Sequence, residues 1–326
     1  MLALARDEAF RTLLEPHRRA ITLHCYRMLG SLHDAEDVAQ ESLTRAWQRL
    51  GQLKSGSATQ AWLYKIATNA CLDLVKSRRR RVLPWLHGAA ASPETPQGPP
   101  AHERFWMEPA PDALLEVPDD PKRGPDAQAS MRESISLAFI TALQFLSPRQ
   151  RAALLLVDVL RWGPREVADL LETSVVSVSS LLQRARKNME ARPPEEISPP
   201  EPSENGELLR RYIQAWESGD LDAFIALLAE DARLSMPPQP EWYEGRESIR
   251  RFLAGVLAAE PRRYRLLPLR ANGERAVAVY RRPITSSSAY EPAAITVLSF
   301  RAGRVSEMIR FTSPTLFPLF GLPPRA

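Results

Sequence analysis

Proline limits how this chain can fold before any other feature does. Ten of its 29 prolines lie between Pro84 and Pro125, and five more between Pro193 and Pro202. Each fixes φ, removes a backbone donor and stops a helix, so neither stretch can continue as a helix or as a central strand. The 326 residues therefore divide into folded pieces over 1–85, 128–192 and 204–326, joined by linkers over 86–127 and 193–203. A chain of this length holds two or three domains, each able to bury a core.

The first piece is helical and sorts its charges by face. Glu8 to Leu29 reads as one helix, Gly30-Ser31 breaks it, and Asp34 is placed to cap the next by accepting from the N–H of Asp37. On that next helix Asp34, Asp37 and Glu41 share a face, with Glu36 and Gln40 close by, because residues three or four apart are neighbours. Ala35, Val38, Ala39, Ser42, Leu43, Ala46, Trp47 and Leu50 recur on the other side. The result is an acidic stripe suited to a basic partner. A polar loop over Gly51 to Ser57 leads to a second amphipathic helix. Leu63, Ile66, Ala67, Ala70 and Leu74 form its apolar stripe, while Trp62, Lys65, Asn69, Asp73, Lys76 and Arg80 fall elsewhere, ahead of the run Arg78 to Arg81. An aromatic, an amide and several cations are the groups that stack on unpaired bases, bond their edges and hold phosphates.

The second piece has helix-turn-helix spacing. Met131 to Leu146 forms one helix, and Ser147-Pro148 supplies an N-cap and N1 pair for the next. Glu166 to Leu171, a turn at Glu172-Thr173-Ser174 and a helix from Ser177 to Glu190 follow. Val178, Leu181, Leu182, Ala185 and Met189 make the buried stripe of the last helix, which leaves Ser179, Ser180, Gln183, Arg184 and Lys187 outward for a major groove.

The third piece changes period. Helices over Glu204 to Ser218 and Leu221 to Ala229 precede strand-like runs at Ala232–Met236, Tyr264–Leu269, Ala276–Arg281, Ala294–Arg301 and Arg304–Thr312, with a helix over Glu247–Leu257 between. Helices followed by strands that curl over them give an α+β cone.

Three of these patterns carry a resemblance. Asp34-Ala35-Glu36-Asp37 with Gln40-Glu41, then Ala61 to Asn69 with Asp73 and the terminal arginines, resembles region 2 of the extracytoplasmic-function branch of bacterial sigma-70 factors. Ser147-Pro148-Arg149-Gln150-Arg151, Glu166-Val167-Ala168, and Val178 with Ser180, Leu182 and Arg184-Ala185-Arg186 resemble region 4. Trp216 to Asp222 is similar to the first turn of SnoaL-like and NTF2-like domains, which some sigma factors of this branch carry at the C-terminus. The resemblance implies a multidomain chain, with two all-α domains followed by the cone. It implies that Asp34, Glu36, Asp37, Gln40 and Glu41 bind core RNA polymerase. Trp62, Lys65, Asn69, Asp73, Lys76, Arg78 and Arg80 would open and read the promoter minus-10 element. Arg149, Arg151, Ser177, Ser179, Ser180, Gln183, Arg184 and Lys187 would read minus-35. The cone would modulate activity in cis, and a small-molecule ligand of the cone and an anti-sigma protein are further partners that the resemblance allows. By the same resemblance the loop residues Lys54, Ser55 and Ser57 lie near the flipped minus-10 base. The sequence departs from the family at Glu172, where the turn usually has a small Gly, and at Ser179 and Leu181, which are often basic.

The first linker is more apolar than a solvated tether needs to be. Phe105, Trp106 and Leu114 would dock on polymerase, on the third piece, or on one another.

Composition excludes other classes. A net charge of +4 and a pI near 9.2 fit a polyanion partner. Cys25 and Cys71 are too few for a disulfide scaffold and read as buried thiols in a cytoplasmic protein. No uncharged apolar run approaches a membrane span. The five histidines match no zinc-finger spacing with the cysteines, and there is no phosphate-binding glycine loop, so neither metal nor cofactor is expected. No His follows His102. Asp231 and Glu307, with Trp242, Tyr243 and Arg310, are the remaining candidates for catalysis in the cone, and the expectation is that the protein is not an enzyme. Two other readings stay open: a stand-alone helix-turn-helix repressor with a ligand-sensing pocket, and an enzyme with a DNA-binding appendage.

Overall fold

The computed structural model describes residues 10–50, 59–77, 80–86, 88–95, 97–101, 106–115, 134–190, 202–259, 261–285 and 288–326. They belong to two compact units, one formed by Met1–Arg81 with Ala113–Pro194 and the other by Val82–Asp112 with Glu195–Ala326.

In the first unit the expected opening helix is divided. A wide turn at Phe10–Leu14 and a tight one at Glu15–His17 precede α1, Arg18–Leu29, because Pro16 cannot donate into a continuous ladder. Gly30, at φ +69°, closes α1 in the left-handed conformation and donates to the Tyr26 carbonyl at 2.7 Å. That turn sets Ser31 extended, so the Ser31 hydroxyl, rather than Asp34, caps α2 (Leu32–Gln48) by accepting from the Asp34 N–H at 3.2 Å. Helix α3 is Thr59–Ser77. Ile21, Leu32, Leu43, Leu63 and Ala67 are buried in the three-helix core.

Helix α4 is Leu137–Leu143, capped by Ser136; the expected start at Met131 lies outside the described residues. Helix α5, Pro148–Leu154, begins with the Ser147–Gln150 capping box and runs on through a wide turn at Leu155–Val159. Helix α6, Pro164–Leu170, and α7, Val175–Glu190, make the helix-turn-helix, with Glu172 at φ +51° in the turn. Two buried arginines join these helices to the first three. Arg27 donates to the carbonyl and hydroxyl of Ser134 at 3.2 and 2.7 Å. Arg151 donates to the carbonyls of Leu143 and Met28 and to Gln144 Oε1. Burial lowers both pKa values to about 10, leaving both side chains charged.

The second unit is α+β. Helices α8 (Pro202–Ser218), α9 (Leu221–Ala226) and α10 (Arg246–Ala259) accompany six strands: β1 (Leu228–Ser235), β2 (Trp242–Glu244), β3 (Arg262–Ala271), β4 (Glu274–Pro283), β5 (Glu291–Arg301) and β6 (Arg304–Phe311). A last turn of helix, α11, is Leu316–Leu319. The sheet order is β2-β1-β6-β5-β4-β3, antiparallel except for β1 beside β6. Tyr212, Phe224, Phe252 and Leu253 from the helices pack with Leu234, Val277, Leu298 and Met308 from one face of the sheet. Strand β2 was not expected, since three residues show no alternation.

The first expected linker is revised over its early part, because residues 82–112 lie along this second unit. Ala91 donates to the Trp242 carbonyl at 2.8 Å, and the Trp242 indole donates to Gly88 at the same distance. Ala110 and Asn272 exchange hydrogen bonds at 2.8 and 3.0 Å, and Asp112 accepts from the Gly273 N–H at 2.7 Å and from Arg270 at 2.8 Å. Leu83, Trp106, Met107 and Ala110 are buried. Burial of this order explains the apolar residues that a tether would lack. Phe105 lies outside the described residues, and Leu114 belongs to the first unit, where its carbonyl accepts from Arg19 at 3.1 Å.

Candidate nucleic-acid interface

Helix α2 divides its residues as the periodicity requires. Ala35, Val38, Ala39, Ser42, Leu43 and Ala46 are buried, while Glu36, Asp37, Gln40 and Glu41 are exposed. Asp34 is half-buried and ion-paired with Arg81, so it anchors the end of the region rather than offering charge to solvent. Glu41 is paired with Arg45, 2.5 Å away on the next turn, and among the described residues Glu36 and Asp37 have no ion pair.

Helix α3 brings Trp62, Lys65, Asn69, Asp73 and Lys76 to its outer side. Asn69, Asp73 and Lys76 are exposed, and Trp62 and Lys65 are half-buried. Asp73 accepts from Lys76 at 2.9 Å, and that bond holds its carboxyl below the usual range. Arg80 lays its guanidinium 4.8 Å from the Phe145 ring centroid. Arg78 lies outside the described residues, as do Lys54, Ser55 and Ser57. Lys65 reaches Glu172 of the helix-turn-helix at 3.0 Å. Beside it a row of edge-to-face rings runs from His24 to Tyr64 at 5.0 Å and from Tyr64 to Trp162 at 5.3 Å. His24 is buried and bonded to the Thr68 hydroxyl at 2.9 Å, and desolvation drives its pKa down to about 3, so the ring is neutral. Glu172 supplies both the left-handed turn and the carboxylate for Lys65.

Helix α7 presents Ser179, Ser180, Gln183, Arg184 and Lys187 outward, over a buried Val178, Leu182 and Ala185. Ser177 is half-buried and bonds the Ser174 hydroxyl at 2.9 Å, which closes the turn. Arg149 is exposed and donates to the Leu171 carbonyl at 2.7 Å, at the C-terminal end of α6. Arg186 is fixed by a bidentate pair to Asp158 at 2.7 and 3.0 Å. Arg151 is corrected: its guanidinium is spent on interior carbonyls and cannot reach DNA. Sequence reasoning missed Val176, which stands 76% exposed at the start of α7. A β-branched residue on the outer face beside the expected groove helix was the available signal.

Three family profiles match these pieces: Sigma-70 region 2 over residues 13–81, Sigma-70 region 4 over 136–189, and a SnoaL-like domain over 209–308. The chain is 44% identical, over 96% of its length and 84% of the relative, to the ECF RNA polymerase sigma factor SigG of Mycobacterium tuberculosis. The chain belongs to the ECF RNA polymerase sigma factors. A second relative, SigJ of the same species, is 29% identical over 74% of this sigma factor and 72% of that protein. The crystal structure of SigJ superposes with a TM-score of 0.58 at 22% identity, covering 98% of this chain and all of that one, which supports the same fold. Sigma factors bind core RNA polymerase and promoter DNA. The expected α+β cone is the SnoaL-like domain. Among the described residues no helix is long and apolar enough to cross a membrane, and no cluster of ligands could hold a metal ion.

Proposed function

We propose that α2 docks this sigma factor on core RNA polymerase through Glu36, Asp37, Gln40 and Glu41, while the outer side of α3 holds melted minus-10 DNA and α7 enters the minus-35 major groove. The observation that carries the reading is the separation of charge on one fold: an acidic face on α2, and polar, cationic and aromatic groups on α3 and α7, each above its own buried stripe. Trp62 stacks on an unpaired base, Asn69 bonds a base edge, and Lys65, Lys76 and Arg80 hold phosphates, as does Arg78. Arg149, Arg184 and Lys187 hold phosphates at minus-35, where Ser177, Ser179, Ser180 and Gln183 meet base edges and Val176 meets a thymine methyl.

The two DNA elements lie about 25 base pairs apart, or roughly 85 Å at 3.4 Å per step. Lys65 and Glu172 are 3.0 Å apart. The arrangement joined by Arg27, Arg151 and this pair is therefore a closed form that opens when promoter and polymerase engage. The SnoaL-like domain regulates that opening in cis, in the cytoplasm and without catalysis; an anti-sigma protein would compete for the same faces.

Reversing Asp37 and Glu41 to Lys tests the docking face. The variant should keep its helical circular dichroism and lose co-purification with core polymerase; retained binding would remove α2 from the interface. Ala at Trp62 or Asn69 should impair open-complex formation, read by permanganate, more than closed binding, and equal loss at both stages would contradict the minus-10 role.

A further inference from the structure

The segment that leads into the helix-turn-helix holds an arginine in a backbone conformation that favours glycine. The wide turn at Leu155–Val159 closes with the Leu160 N–H on the Leu155 carbonyl at 2.9 Å and the Trp162 N–H on the Leu156 carbonyl at 3.0 Å. Arg161 lies between them at φ +62°. A left-handed residue just past the end of a helix is usually Gly, because a Cβ crowds the backbone there. Strain kept at such a position directs attention to what the side chain does.

The Arg161 guanidinium does nothing for the fold. It is exposed, and among the described residues it makes no hydrogen bond, ion pair or ring contact. Arg165, on the first turn of α6, is exposed and equally free. The nearby carboxylates are used elsewhere or stand apart. Asp158 holds Arg186 of α7 at 2.7 and 3.0 Å, and Glu166 accepts from the Gly163 N–H at 2.7 Å. Asp169, one turn beyond Arg165, is exposed and has no ion pair among the described residues.

The bond between Asp158 and Arg186 clamps the residues just before Arg161 to α7, the helix that also presents Arg184 and Lys187. In a docked helix-turn-helix the second helix fills the major groove and the first crosses the sugar-phosphate backbone beside it. Arg161 and Arg165 flank the start of that first helix, α6. Their charges have no counterion in the fold, and phosphate supplies one. We propose that Arg161 and Arg165 contact the phosphates bordering the minus-35 groove, as anchors that set affinity and salt dependence without reading sequence. The inference rests on the placement of α7 in that groove and extends the interface to the loop before α6.

The test titrates polymerase holoenzyme carrying the full chain onto duplex promoters selected from a random library, from about 50 to 200 mM salt. Arg161→Gln and Arg165→Gln should each weaken binding by roughly 3- to 10-fold, alike for every minus-35 sequence, and lower the log-log salt slope by about 0.9. Arg161→Lys keeps the charge and should keep the slope. Arg161→Gly relieves the backbone, so it should raise the melting temperature of the free chain by roughly 2–4 °C while weakening promoter binding as Gln does. Phosphate ethylation should reveal a backbone position that blocks binding of the parent and not of the Arg161→Gln form. Arg184→Ala separates this inference from the reading beneath it. If Arg184→Ala weakens binding while the Arg161 and Arg165 variants match the parent, the two arginines are not on the backbone and the proposal falls alone. If Arg184→Ala has no effect either, α7 is not in the groove and both fall. A loss of affinity for core polymerase at an unchanged salt slope would place the pair on protein and overturn the DNA assignment.

Discussion

Glu172 offers the sharpest perturbation, because one residue carries two separable effects. Its backbone is left-handed at φ +51°, and its carboxylate meets Lys65 at 3.0 Å. Left-handed backbone costs a residue with a Cβ about 1 kcal/mol relative to glycine. The ion pair is exposed, at 39% for Lys65 and 72% for Glu172, so it contributes only about 0.5 kcal/mol. Glu172→Gln keeps the strain and loses the pair; Glu172→Gly loses both. Gly should therefore be more stable than Gln by about 1 kcal/mol, roughly 2–4 °C in calorimetry for a unit of this size. The Gln variant should fall below the parent by about a degree at low salt and match it near 1 M salt, where a surface pair is screened. Both variants release Lys65, so both should bind minus-10 fork DNA more tightly in complex with polymerase. Equal stability of Gly and Gln would mean that the turn is not held left-handed in solution. A Gln deficit that salt does not erase would mean that the pair is not what the carboxylate contributes.

Three further predictions follow from buried groups. His24 titrates near 3 in the fold against 6.5 when unfolded, so the unfolded chain takes the proton first. Stability present above pH 6.5 should fall by up to about 1.4 kcal/mol per pH unit below it, and His24→Gln should flatten that fall in acid denaturation. Glu274 has the opposite sign: desolvation lifts its carboxyl to about 7 against 4.5, so the second unit loses stability as pH rises between those values. Glu274→Gln should remove that loss and raise the melting temperature at pH 8 more than at pH 5. Arg151→Met leaves the carbonyls of Leu143 and Met28 without their donor and should destabilise the first unit by about 3 kcal/mol in urea. Promoter selectivity per folded molecule should be unchanged; a selective loss of minus-35 binding would restore Arg151 to the DNA face.

What the sequence could and could not show follows from the range of the forces involved. The faces of α2, α3 and α7 were legible because apolar period alone decides them, and Val38, Leu63 and Leu182 are buried where that period puts them. The cap of α2 was misplaced by three residues, because two side chains competed and the left-handed Gly30 decided between them. Arg151 was assigned to DNA through the resemblance of Ser147 to Arg151 to region 4; its carbonyl partners come from residues as distant as Met28. Residues 86–127 were set apart as a linker by their prolines, and their apolar residues left three docking places open; the choice for the part up to Asp112 rests on hydrogen bonds to Trp242 and Asn272, far along the chain.

The measurement that bears most directly on the central claim is run-off transcription by purified core polymerase on promoters selected from a random library, with the full chain and with the Asp37→Lys, Glu41→Lys form. A truncation at 203 is a poorer comparison, since it would strip the partner from Leu83, Trp106 and Met107, which are buried in the second unit. Initiation by the parent from a common pair of elements about 25 base pairs apart, lost on charge reversal, is the predicted result. Tight binding of duplex DNA by the chain alone, with no initiation in the presence of polymerase, would contradict the account.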